Sequence, residues 1–141
     1  MIVCLWVCVL LMDVQPHSVL VAKIVSATIC EKVTQPGMQA EGVKDRFGSD
    51  TPEIHIVVSL QEIKAASRLR SSWICVDGIE IPNYEIDTAE AESQKDGEGT
   101  AHFSLSTPQK GWPLGNYKVD LHLDGSQVFS VPFTISASPG P

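Results

Sequence analysis

From residue 54 onward apolar and polar positions alternate with period two, the pattern of half-buried β-strands. In Glu53–Leu60, Ile54, Ile56, Val58 and Leu60 point one way, with His55, Val57 and Ser59 opposite. Arg68–Asp77 repeats this with Leu69, Ser71, Trp73 and Cys75 on one face. Thr100–Ser106 turns Ala101, Phe103 and Leu105 inward, and Tyr117–Leu123 turns in Tyr117, Val119, Leu121 and Leu123. Gln127–Ile135 offers Phe129, Val131, Phe133 and Ile135. A strand at Gly78–Ile86, interrupted by Pro82-Asn83, and one at Lys23–Cys30 complete seven.

The punctuation agrees. Asp124-Gly125 separates two alternating runs and predicts a tight hairpin, because both central residues of such a turn need positive φ. The helical candidate, Glu62–Arg70, reads better as a connection into the Trp73 strand. Seven short strands in about 120 residues predict an all-β, antiparallel β-sandwich spanning 23–136. A signal-like segment, 1–22, precedes it, and a short tail, 137–141, follows. Burying each Trp or Phe of such a core contributes about 2–3 kcal/mol, so neither metal nor cofactor is needed for stability.

Charge changes the picture in one place. The chain carries a formal charge of −7 in 141 residues, and the stretch from Asp77 to Glu98, with eight acidic residues and Lys95, accounts for all of it. An acidic chain disfavours a nucleic-acid partner. The stretch contains no calcium-loop spacing, so Thr88–Gly99 is expected to be a solvated loop. Thr34–Glu53 is expected to be a second long loop, and such loops on a rigid sandwich commonly carry recognition.

Ile2–Met12 is an unbroken apolar run, too short at roughly 16 Å of helix to span a bilayer but suited to a secretory signal. This predicts an extracytoplasmic protein without a stable transmembrane span. The alternative is a cytoplasmic chain beginning near Val19. Cys4 and Cys8 fall in that run, leaving Cys30 and Cys75. Alternation turns Cys30 outward and Cys75 inward, so a disulfide between them is not expected.

His55, His102 and His122 all alternate outward. His55 and His102 sit near the starts of their strands, which would put them at opposite ends of an antiparallel ladder and argues against a shared site. His122, between Asp120 and Asp124, is the remaining metal candidate. Neither a GxSxG nucleophile elbow nor a glycine-rich phosphate loop is present. The reading is therefore a non-enzyme with no catalytic, cofactor-binding or metal residues assigned.

Gly111-Trp112-Pro113-Leu114-Gly115-Asn116-Tyr117, the run Tyr117–Gly125 and the closing Phe133-Thr134-Ile135 resemble the C-terminal half of immunoglobulin-like or fibronectin-III-like modules of bacterial envelope proteins. Phe47, Asp50-Thr51-Pro52 and Trp73 fit as well. The resemblance implies that Tyr117 is a tyrosine corner and Trp73 the buried tryptophan of the third strand. Trp112, in a Gly-Pro turn, is expected to be partly exposed. The resemblance implies a module for protein or surface interaction. A carbohydrate- or calcium-binding module using Tyr84 and Trp112, or an inhibitor of a secreted hydrolase, are the alternatives.

Overall fold

The computed structural model describes residues 23–77, 81–108 and 111–137; the signal-like segment and residues 138–141 lie outside these. Among the described residues there are nine strands and no helix: β1 (Lys23–Thr34), β2 (Gln39–Val43), β3 (Arg46–Gly48), β4 (Glu53–Ile63), β5 (Arg68–Cys75), β6 (Tyr84–Glu92), β7 (Gly97–Ser106), β8 (Gly115–Leu123) and β9 (Ser126–Ser136). They form a four-stranded sheet, β2-β1-β4-β7, and a five-stranded sheet, β3-β9-β8-β5-β6. All pairings are antiparallel except β3 with β9.

The two inner faces meet in one core, with Ile54, Ile56, Val58 and Phe103 from the four-stranded sheet against Trp73, Val119, Leu121 and Phe133 from the five-stranded sheet. Phe133 is the hub. Tyr117 stacks on it at 5.3 Å between centroids, and Trp73 and Phe47 meet it edge-on at 6.1 and 6.0 Å. The Tyr117 hydroxyl donates to the Pro113 carbonyl at 2.5 Å, the tyrosine corner expected from the sequence. Burial, and then the neighbouring Cys75, push that hydroxyl's pKa up. Asp124 and Gly125 take φ of 49° and 89° and close the predicted hairpin.

The count of seven strands is corrected to nine. β2 and β3 come out of Thr34–Glu53, which is therefore not a long loop. The strand expected at Gly78–Ile86 begins later. Ile81–Asn83 belong to a turn whose Asn83 N–H reaches the Val76 carbonyl at 3.1 Å, and β6 runs from Tyr84 to Glu92. Thr88–Gly99 is not a solvated loop either, since β6 runs through Glu92 and β7 starts at Gly97. Its acids are used: Asp96 Oδ1 accepts the Ala65 N–H at 2.8 Å, and Glu90 and Glu92 lie 3.7 and 4.0 Å from the Arg68 guanidinium.

Two aromatic expectations also fail. Trp112 is buried, because its indole N–H finds the Thr51 carbonyl at 2.9 Å and its ring packs edge-on to Tyr117. Phe129 has the inward parity of Val131 yet is 38% exposed; it is paired with Leu121 where a bulge interrupts the β8–β9 register. Cys75 joins the core, whereas Cys30 faces away from it, and both thiols are free.

Candidate functional site

Across the outer face of the five-stranded sheet, register aligns Thr88, Ser72, Asp120 and Ser130 in one row over β6, β5, β8 and β9. One neighbouring row carries Glu90, Arg70, His122 and Gln127, the other Ile74, Lys118 and Pro132. Short side chains between longer ones make a trough. Ser72 and Asp120 lie at its floor, 2% and 5% exposed although both point away from the core.

The Asp120 carboxylate is held from both sides. The Ser130 hydroxyl donates to Oδ1 at 2.7 Å and Lys118 Nζ approaches Oδ2 at 3.4 Å. Ser72 Oγ and His122 Nδ1, by contrast, are buried without a hydrogen-bond partner. A buried, unpaired hydroxyl costs roughly 1–3 kcal/mol, so such a group calls for an explanation beyond folding. Toward the Asn116 end, Lys118 and Ser130 also border a cavity of 580 Å³ with Asp45, Asn116 and Thr134; Ser72 and Asp120 do not line it.

On the outer face of the four-stranded sheet the structure overturns the histidine expectation. His102 pairs with Val57 and His55 with Ser104, so the two imidazoles are diagonal neighbours on adjacent strands. His55 Nδ1 and His102 Nε2 are 2.9 Å apart, and His55 Nε2 lies 3.3 Å from Glu53 Oε1. The inference from strand ends failed because β7 begins at Gly97, three residues before the expected Thr100, and this places His102 mid-strand.

The ring centroids are 5.1 Å apart and the planes differ by 23°. The centroids are thus farther apart than the nitrogens by about two ring radii, so the rings meet edge to edge, nearly coplanar, as an N–H···N bond requires. Two zinc–nitrogen bonds of about 2.0–2.1 Å at the tetrahedral angle would set the nitrogens about 3.3 Å apart, with both lone pairs aimed at the metal and not at each other. The gap fits a proton and not a metal. Desolvation first, and then His55, hold His102 below the ordinary imidazole value, while Glu53 pulls it upward.

His122 is not brought together with both flanking carboxylates. Asp120 is held by Ser130 and Lys118, and Asp124 Oδ1 accepts the Arg68 N–H at 2.9 Å in the hairpin turn. Among the described residues no three His, Cys, Asp or Glu side chains are grouped to hold a metal ion. A third feature, a 460 Å³ cavity at the β6–β7 edge, has an apolar floor of Leu60, Ile63, Leu69 and Leu123 and is bordered by Met38 and His102. No described helix is long and apolar enough to cross a membrane.

No protein-family model and no curated protein matches the chain. Solved structures do. The C-terminal domain of Wzt superposes with a TM-score of 0.52 at 11% identity, covering 84% of this chain and 75% of that one. The β-glucosidase EmGH1 of Erythrobacter marinus gives 0.53 at 9% identity, over 82% of this chain and 15% of that one. A Listeria innocua β-glucosidase complexed with gluconolactone gives 0.51 at 12%, over 83% and 16%. At such identities the likeness establishes a β-rich fold and nothing of function. In both glucosidases the chain corresponds to about a sixth of the whole protein.

Proposed function

We propose that the chain is a non-enzymatic, extracytoplasmic module of immunoglobulin-like or fibronectin-III-like type, and that it binds a surface ligand through the outer face of its five-stranded sheet. The observation that carries this reading is Ser72 Oγ, buried and unpaired beside an Asp120 carboxylate that Ser130 and Lys118 hold in place. Donor and acceptor groups fixed on rigid strands suit a ligand that can both give and accept hydrogen bonds. Carbohydrate hydroxyls do both: one can donate to Asp120 while another accepts from Lys118, and Ser72 Oγ comes within reach once the longer side chains beside it move apart. Tyr84, 53% exposed at the start of β6, stands opposite the core-facing Cys75 and so takes no part in this face.

Protein recognition and inhibition of a secreted hydrolase are weaker readings. They need Thr34–Glu53 and Thr88–Gly99 to be long recognition loops, whereas half of the first segment and most of the second is strand. The apolar run Ile2–Met12 supports export. The test is a glycan array probed with the wild-type protein and with Asp120→Asn, an isosteric change that removes the charge. Saccharide binding lost on substitution supports the proposal; an array without hits sends the reading back to a protein partner.

A further inference from the structure

Around Cys30, Val57 and His55 the outer face of the four-stranded sheet is covered, and the cover is part of the same chain. Cys30, 0% exposed, and Val57 face away from the core yet are buried, and His55 is nearly so. A straight continuation of β1 from Cys30 would carry Met38 roughly 25 Å past the His55 end of the sheet. Instead Met38 borders the cavity shared by Leu60, Thr100 and His102, toward the opposite end of β4. β2 also approaches β4 directly, across β1. The β1–β2 hairpin therefore folds back over the outer face. Its base is tight. Gly42, at φ 70°, faces Glu31 so closely that a Cβ would come within 2.7 Å of Oε1, and Lys44 holds the same carboxylate at 2.7 Å.

We propose that Glu53, His55 and His102 form an acid-operated latch beneath this hairpin, closed at neutral pH and released on acidification. The proton positions follow from the geometry. Glu53 can only accept, so His55 Nε2 carries a proton toward it and His55 Nδ1 is left as acceptor. His102 Nε2–H then donates to His55 Nδ1, and His102 Nδ1 is the one ring nitrogen of the pair with neither a proton nor a place in the hydrogen-bond chain. A first added proton goes there and leaves the bridge intact, with the new charge balanced by Glu53. Of the ring nitrogens only His55 Nδ1 can take a second, which sets two N–H groups against each other at 2.9 Å and parts the rings.

Few other groups can compensate. The elements packed on the pair contribute Cys30, Glu31 and Lys32 from β1, Glu41 from β2, Lys44 after it, and Glu98 farther along β7, and Glu92 and Lys95 line the cavity that His102 borders. Lys32 stands opposite Glu41, and Glu31 is engaged by Lys44. Glu53 is thus the carboxylate in contact with the pair. Burial of His102 acts in the same direction, since the fold resists its charged form. The latch lies on the sheet opposite the proposed ligand trough and does not depend on that reading.

Hydrogen exchange read by mass spectrometry over residues 31–43, corrected for intrinsic rates, tests the latch at pH 7.5 and pH 5.0. The wild-type hairpin should exchange at least tenfold faster at the lower pH. His102→Gln keeps a neutral amide donor toward His55 and should hold the pH 7.5 protection at both. Glu53→Gln removes the group that favours the added charge and should move the release to lower pH. A second readout needs no variant: in a ¹⁵N-histidine titration, the His55 and His102 ring signals and the Met38 amide should shift together. Wild-type protection that is equal at both pH values, a response retained in His102→Gln, or rings that titrate without the Met38 amide would each overturn the latch.

Discussion

The Trp112 indole donates its N–H to the Thr51 carbonyl 2.9 Å away, across 61 positions of sequence. The Thr107 hydroxyl donates to the same carbonyl, and the Trp112 amide N–H reaches Ser49 at 3.2 Å. The segment between β7 and β8 is thereby sewn to the turn before β4. Trp112→Phe should keep most of the packing and lose one buried hydrogen bond, about 0.5–1.5 kcal/mol. Trp112→Ala should cost about 3–5 kcal/mol. Urea unfolding checks both values. In a Trp6→Phe background, a neutral quencher should reach Trp73 and Trp112 equally poorly.

The acidic hairpin is structural. Replacing Thr88–Gly99 by Asn-Gly would delete the second half of β6 and the first residues of β7, together with the Asp96–Ala65 contact. Loop-closure entropy, at roughly 0.6 kcal/mol per doubling of length, cannot offset that loss. The shortened protein should melt at least several degrees lower in a thermal scan, and an unchanged melting temperature would mean the hairpin is dispensable.

Stability should fall on mild acidification, and the sign follows from His102. Its folded-state pKa is depressed below 6.5, so the unfolded chain binds the proton more readily. Stability is full above 6.5 and is lost as pH falls through the folded value. His102→Gln should flatten the dependence of urea midpoint on pH between 7 and 5 relative to wild type. Identical slopes would place the proton uptake elsewhere.

Ser71 and Ser72 separate stability from binding. Both hydroxyls are buried and unpaired, Ser71 on the core side of β5 and Ser72 on the trough side. Removing such a hydroxyl is neutral or stabilising by up to about 1 kcal/mol. Ser71→Ala and Ser72→Ala should therefore both hold or raise the urea midpoint, while only Ser72→Ala weakens ligand binding.

Much of this was legible in the residues. Period-two alternation places the core from Ile54 to Ile135, and Asp124-Gly125 and Tyr117 mark their turn and corner. β6 was not legible in its true frame, because an edge strand exposed on both sides carries no apolar alternation; only Ile86 and Ala91 pack toward the core. β2 and β3 are short and glycine-punctuated, and β3 pairs with β9 at the far end of the chain, which no local pattern encodes. Alternation did put His55, His102, Asp120 and Ser72 on outer faces. Their partners follow from cross-strand register, which starts of strands guessed to within a few residues cannot fix. Trp112 looked exposed because its burial depends on a carbonyl far away in sequence.

The most direct test of the ligand trough is a titration of ¹⁵N-labelled protein with an oligosaccharide selected on the array, followed by amide chemical shifts. The perturbed amides should trace the row Thr88, Ser72, Asp120 and Ser130 with the neighbouring Lys118 and Asn116, and Asp120→Asn should abolish the perturbations. Perturbations confined to the β6–β7 edge or to the His55 face, or a saccharide that binds Asp120→Asn as well as wild type, would contradict it.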